Sequence, residues 1–141
     1  MKQLILAAIL SVTAAIGFAD EHADLFQPVT SETDLKTFAW QNRLIVVFAN
    51  TKQDVRLQTQ IEYLKIDPAA LTEREIVVLT DSDPAMDSLL RQKFRPRGFT
   101  LLLIGKDGQV KLRKPFPWDL RALSRAIDKM PMRRQEIKAK K

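Results

Sequence analysis

Arg43-Leu44-Ile45-Val46-Val47-Phe48-Ala49 decides the fold. From Leu44 to Phe48 the run is continuously apolar. A strand with one wet face alternates; an unbroken run marks a strand buried on both faces, as in a parallel sheet. Outward from it, Leu57, Ile61 and Leu64 recur at i, i+4 and i+7, one face of a helix. Asp67-Pro68 pairs a cap with a first-turn proline and opens a second short helical piece through Leu71. Residues 76–80 are a second apolar strand. Asp83-Pro84 repeats the cap-plus-proline signal, with Met86, Leu89, Leu90 and Phe94 at helical spacing behind it. Arg95-Pro96-Arg97-Gly98 turns the chain into a third apolar strand, residues 99–104. Asp107-Gly108 is a hairpin signal, and residues 109–113 return as a fourth strand in which Val110 and Leu112 alternate with polar residues. Pro115 and Pro117 stop it, and Asp119 caps a helix bearing Leu120, Leu123, Ile127 and Met130 that Pro131 ends. Upstream, Ser31 reads as the cap of a short helix that turns Leu35 and Phe38 inward, before a break at Gln41-Asn42. The order strand–helix–strand–helix–strand–strand–helix predicts an α/β, three-layer sandwich: a mixed four-stranded sheet with helices on both faces.

The first residues read differently. Lys2, the apolar run of residues 4–16 and Gly17-Phe18-Ala19 have the layout of a secretory signal cleaved near Ala19. The run falls short of the roughly 20 apolar residues of a comfortable membrane span, and an uncleaved anchor stays open as the alternative. The expected organisation is a signal peptide at 1–19, a loose arm at 20–30, one domain at 31–131 and a basic, solvated tail at 132–141. The expected address is the periplasm or the exterior. The chain holds no cysteine, so neither a lipoprotein anchor nor a disulfide is possible.

The net charge of +6 hides an asymmetry. Residues 20–90 carry 13 Asp and Glu against 6 Lys and Arg, whereas residues 91–141 carry 16 Lys and Arg against 4 Asp and Glu. Two readings stay open: the halves touch and neutralise each other, or the second half offers a basic surface to an anionic partner. The only histidine, His22, sits in the arm, so a histidine-based triad or multi-histidine metal site is unavailable. No cofactor or metal is expected. Asp81 lies at the carboxyl end of the second strand, where open α/β sheets bind ligands, and is a candidate site residue. Gly105-Lys106-Asp107-Gly108 lacks phosphate-loop spacing.

The strand and turn order is similar to the thioredoxin fold. The chain more closely resembles the thioredoxin-like family of the domain of unknown function 4174. The resemblance lies in Trp40-Gln41-Asn42-Arg43-Leu44-Ile45-Val46-Val47-Phe48-Ala49, in Glu73-Arg74-Glu75-Ile76-Val77-Val78, and in Phe94-Arg95 with residues 98–108. It ends in Met130-Pro131-Met132-Arg133-Arg134-Gln135-Glu136. It brings no activity with it. Similar domains in secreted animal proteins of the extracellular matrix imply an interaction role. The fold also implies that residues 48–56, where relatives carry redox cysteines, lie beside the loop of Arg95-Pro96-Arg97-Gly98, and that Phe99 stands where relatives carry a proline. Without a thiolate, disulfide exchange and peroxidase chemistry are excluded. The same adjacency implies that Lys52, Arg95, Arg97 and Thr100 line a small anion-accepting surface.

Three functions remain open: a redox-inactive interaction module of the periplasm or envelope, an enzyme or small-anion binder at the strand ends, and a charge-driven envelope-surface binder. The expected partner is a protein or an anionic envelope component. Nucleic acid is not expected, because no aromatic platform interleaves with the charges. Arg133, Arg134, Lys138, Lys140 and Lys141 are candidates for peripheral contact with a membrane surface. As the tail is read as solvated, its removal is expected to leave folding intact.

Overall fold

The computed structural model describes residues 23–141. The stretch read as a signal peptide, His22 and the start of the arm lie outside the described residues. The elements are β1 (Phe26–Pro28), β2 (Arg43–Phe48), α1 (Val55–Lys65), α2 (Pro68–Glu73), β3 (Ile76–Asp81), α3 (Leu89–Phe94), β4 (Thr100–Ile104), β5 (Val110–Lys114), α4 (Leu120–Asp128) and α5 (Pro131–Ala139). The sheet runs β1-β3-β2-β4-β5. The first three of these strands are mutually parallel, and β4 and β5 each run antiparallel to their neighbours.

The unbroken apolar runs sit where two covered faces require them. Every residue of β2 and β4 is buried. Ile45 and Val47 join one core with Leu57 and Leu64 of α1, Leu71 of α2 and Leu123 and Ile127 of α4. Leu44, Val46 and Phe48 join the other, with Leu90 of α3 and the partly buried Leu35 and Phe38. Successive side chains of a strand point to opposite faces, so one hexapeptide serves both cores.

Four sequence expectations need correction. Among the described residues the sheet has five strands, not four, because part of the arm, Phe26-Gln27-Pro28, pairs with Val78-Leu79-Thr80 at the sheet edge. Three residues ending in proline carry no periodicity to read. The short helix before β2 is a single 3₁₀ turn, Leu35–Thr37, capped by Asp34 rather than Ser31. The segment after β3 is split: Asp83 precedes a 3₁₀ turn, Pro84–Met86, without a side-chain cap bond. Ser88 then caps α3 by accepting from the Arg91 N–H at 3.2 Å. Finally, the tail is helical. Pro131 does end α4, but it is also the first residue of α5, a position where its missing N–H costs nothing and its fixed φ helps.

Candidate functional site

At the carboxyl end of β2 the chain runs through Asn50-Thr51-Lys52-Gln53 into α1. Asp54 caps that helix, its Oδ1 accepting from the Arg56 N–H at 2.9 Å. The same carboxylate takes the Arg56 guanidinium as a fork, Nε to Oδ1 at 3.2 Å and Nη2 to Oδ2 at 3.0 Å, and these bonds hold it below the usual carboxylate range. The guanidinium lies 5.6 Å from the centroid of the Phe99 ring, which is buried. An ion pair over an aromatic ring therefore fills the region between residues 48–56 and the start of β4.

Asp81 is no ligand-facing carboxylate. It is 2 % exposed. Its Oδ2 accepts from the Ser88 hydroxyl at 2.6 Å, and its Oδ1 from Arg91 Nε at 2.9 Å. Arg91 Nη2 also donates to the Ala49 and Asp81 carbonyls at 2.8 and 3.1 Å. This strut ties α3 to the ends of β2 and β3. The positional rule for α/β sheets places the residue correctly; the arginine ten positions on, one turn into a helix, consumes it. Lys52 is also displaced from the candidate group. It lines a separate groove with Phe26, Pro28, Leu57 and Ile61.

Arg95, Arg97 and Thr100 do come together. They line a cavity of about 380 Å³ with Phe99, Arg113 and Lys114. The hairpin supplies the last two: the β4–β5 register sets Leu101 opposite Lys114 and Leu102 opposite Arg113. Arg113 Nη1 donates to the Phe94 carbonyl at 2.9 Å, which fixes the guanidinium beside the α3 terminus. Lys114 Nζ stands 4.7 Å from the Trp118 ring centroid. Arg95 is held at φ 46°, ψ 58° as the residue that ends α3, its N–H donating to the Arg91 carbonyl. This left-handed conformation costs a side-chain-bearing residue roughly 1–2 kcal/mol and glycine almost nothing. No carboxylate lines the cavity, and none of its four cations belongs to an ion pair among the described residues. Sequence reasoning missed Arg113 and Lys114 because charges alternating along an edge strand read as its wet face; the Asp-Gly hairpin was the signal that returned them to the start of β4.

The opposite pole is an ion-pair network. Arg43, 1 % exposed, forks onto Glu136 at 3.1 and 3.0 Å and donates to the Arg74 carbonyl at 3.0 Å. Lys106 bonds Glu75 and Glu136. Arg133, 2 % exposed, reaches Asp128 and Glu73 at 3.1 Å each, and Arg74 forks onto Asp128. The acidic and basic halves thus meet here and neutralise in part. Arg133 is consequently unavailable to a membrane surface, whereas Arg134, Lys138, Lys140 and Lys141 are exposed. Burial raises the Glu136 carboxyl, but hydrogen bonds from Arg43 and Lys106 outweigh it and hold the group at about 2. A depressed carboxylate contributes stability above its unfolded value and loses it as pH falls through the folded one. Unfolding free energy is therefore expected to fall between about pH 5 and pH 2, by on the order of 3 kcal/mol from this group. Chemical denaturation across that range checks it, and Glu136→Gln should flatten the slope.

Among the described residues no three His, Asp or Glu side chains form a group able to hold a metal ion. None of their helices is long and apolar enough to cross a membrane. The family described as Domain of unknown function (DUF4174) matches residues 34–136. Coiled-coil domain-containing protein 80 of Danio rerio is 27% identical over 79% of this chain, which spans 16% of that protein's length. Among solved structures, reduced 2-Cys peroxiredoxin of Plasmodium vivax superposes with a TM-score of 0.57 at 12% identity, over 74% of this chain and 85% of that one. Reduced desulfothioredoxin of Desulfovibrio vulgaris Hildenborough gives 0.56 at 17% identity, over 76% and 99%. Chloroplastic thioredoxin z gives 0.56 at 19% identity, over 72% and 90%. The likeness establishes a thioredoxin-like fold.

Proposed function

Because the chain belongs to the domain of unknown function 4174 family, we propose that it is an exported, redox-inactive binding module that holds an anionic partner of the periplasm or envelope. One observation carries this reading. Arg95, Arg97, Arg113 and Lys114 line a single cavity that no carboxylate of the described residues lines. Like charges brought together without a counter-charge repel, and an anionic ligand removes that cost. The absence of cysteine supports the redox-inactive part. The enzyme alternative loses its proposed carboxylate, since Asp81 is consumed by Ser88 and Arg91.

A second reading keeps the membrane surface as partner. Arg121, Arg125 and Lys129 recur every four residues along α4 and over its end, and Arg134 and Lys138 do so on α5, all exposed. Each such cation contributes about 1 kcal/mol near an anionic surface. Binding to immobilised dextran sulfate at several salt concentrations separates the two. A variant carrying Arg95→Gln, Arg97→Gln and Arg113→Gln should bind far more weakly than one carrying Arg121→Gln, Arg125→Gln and Lys129→Gln, although both lose the same charge. Equal losses would discard the cavity as the site, and a larger loss in the helix variant would favour the surface reading.

A further inference from the structure

We propose that the cavity is a phosphate-monoester site in which Arg95 and Arg113 grip the phosphate oxygens. This rests on reading the cavity as the anion site, and names its ligand class. A cavity of about 380 Å³ lies within the size range of small-molecule sites, roughly 300–1,000 Å³. It has room for a sugar-sized body as well as an oxyanion. Its wall is not uniformly polar: Phe99 and Pro115 line it beside the cations and Thr100.

The charge argues for phosphate over carboxylate. Three arginines and one lysine line the cavity. A carboxylate brings one negative charge, whereas a phosphate monoester brings about 1.5–2 and three acceptor oxygens. Guanidiniums present planar forks of N–H donors that suit such oxygens, and do so best when pre-oriented. Arg113 is pre-oriented, one nitrogen being tethered to the Phe94 carbonyl at 2.9 Å. Arg95 ends α3 in a left-handed conformation, φ 46°, that glycine adopts without steric cost; Trp40, Glu75 and Asp87 are held at positive φ as well.

The test is calorimetric titration of the full chain with glucose 6-phosphate and, as the carboxylate of matching size, glucuronate. Glucose 6-phosphate is expected to bind about tenfold more tightly or better. Arg95→Gly and Arg113→Gln are each expected to weaken it about tenfold, while Arg121→Gln leaves it unchanged. Arg95→Gly should also leave the melting temperature unchanged or raise it, which separates lost grip from lost fold. Vesicles containing phosphatidic acid form the second arm. Vesicle binding that glucose 6-phosphate competes away assigns the phosphate to a lipid headgroup; binding of the soluble ester alone assigns it to a soluble ligand. Equal or tighter binding of glucuronate, or binding of neither, overturns the monoester assignment. In that event a dextran sulfate affinity that still depends on Arg95 and Arg113 leaves the broader anion site standing. A dextran sulfate affinity indifferent to both residues removes the site altogether.

Discussion

A chain ending at Met130 is expected to unfold at a far lower urea concentration than the full chain. Residues 132–141 hold the two central members of the polar network, Arg133 and Glu136. Among the described residues, removing them leaves Arg43, 1 % exposed, with only the Arg74 carbonyl as a partner for its guanidinium, and leaves Lys106 with Glu75 alone. Breaking a buried ion pair from one side costs about 3–5 kcal/mol, because the remaining charge stays buried and uncompensated. That is a large fraction of a domain stability of roughly 5–15 kcal/mol. The truncation also strips the cover from a cavity of about 230 Å³ lined by Arg43, Lys106 and Met132. Arg43→Met within the truncated chain separates the two contributions, since it removes the stranded charge while α5 stays absent. Coincident urea midpoints for the full and truncated chains would mean that α5 contributes nothing, and the network with it.

The second large effect is at Asp81. Asp81→Ala is expected to cost about 3–5 kcal/mol. It strands the Arg91 guanidinium, 9 % exposed, and removes the acceptor of the buried Ser88 hydroxyl. Replacing both charged partners, Asp81→Leu with Arg91→Met, should recover part of that loss, because an apolar pair of similar volume needs no compensation. Anion binding per folded molecule should be unchanged in every one of these variants, since Asp81 does not line the basic cavity. Full stability in Asp81→Ala with lost binding would invert the account and make Asp81 a site residue.

The continuous runs at Leu44, Ile76 and Leu101 announce strands buried on both faces, and burial of β2 and β4 on both sides is what the structure has. Asp107-Gly108 places the hairpin, and with it the pairing of β4 and β5. β1 escapes because its hydrogen-bonding partner is the edge of β3, some fifty residues away. The basic tail misleads for a similar reason. Arg133 and Glu136 look solvated until Glu73, Asp128, Arg43 and Lys106 close around them, and charge pairing over separations of 30, 60 and 93 residues leaves no local pattern. At the site, Arg95, Arg97 and Thr100 are readable from loop position. Arg113 and Lys114 require strand register, and Lys52 and Asp81 are lost to packing that only the folded chain reveals.

The most direct test of the central claim, an anionic partner held at the sheet edge, is a heteronuclear NMR titration of the isotope-labelled chain with a short dextran sulfate. Amide shifts are expected to concentrate at residues 95, 97–100, 113 and 114 and to vanish in the variant carrying Arg95→Gln, Arg97→Gln and Arg113→Gln. Shifts confined to α4 and α5, or to the groove around Lys52, would contradict it.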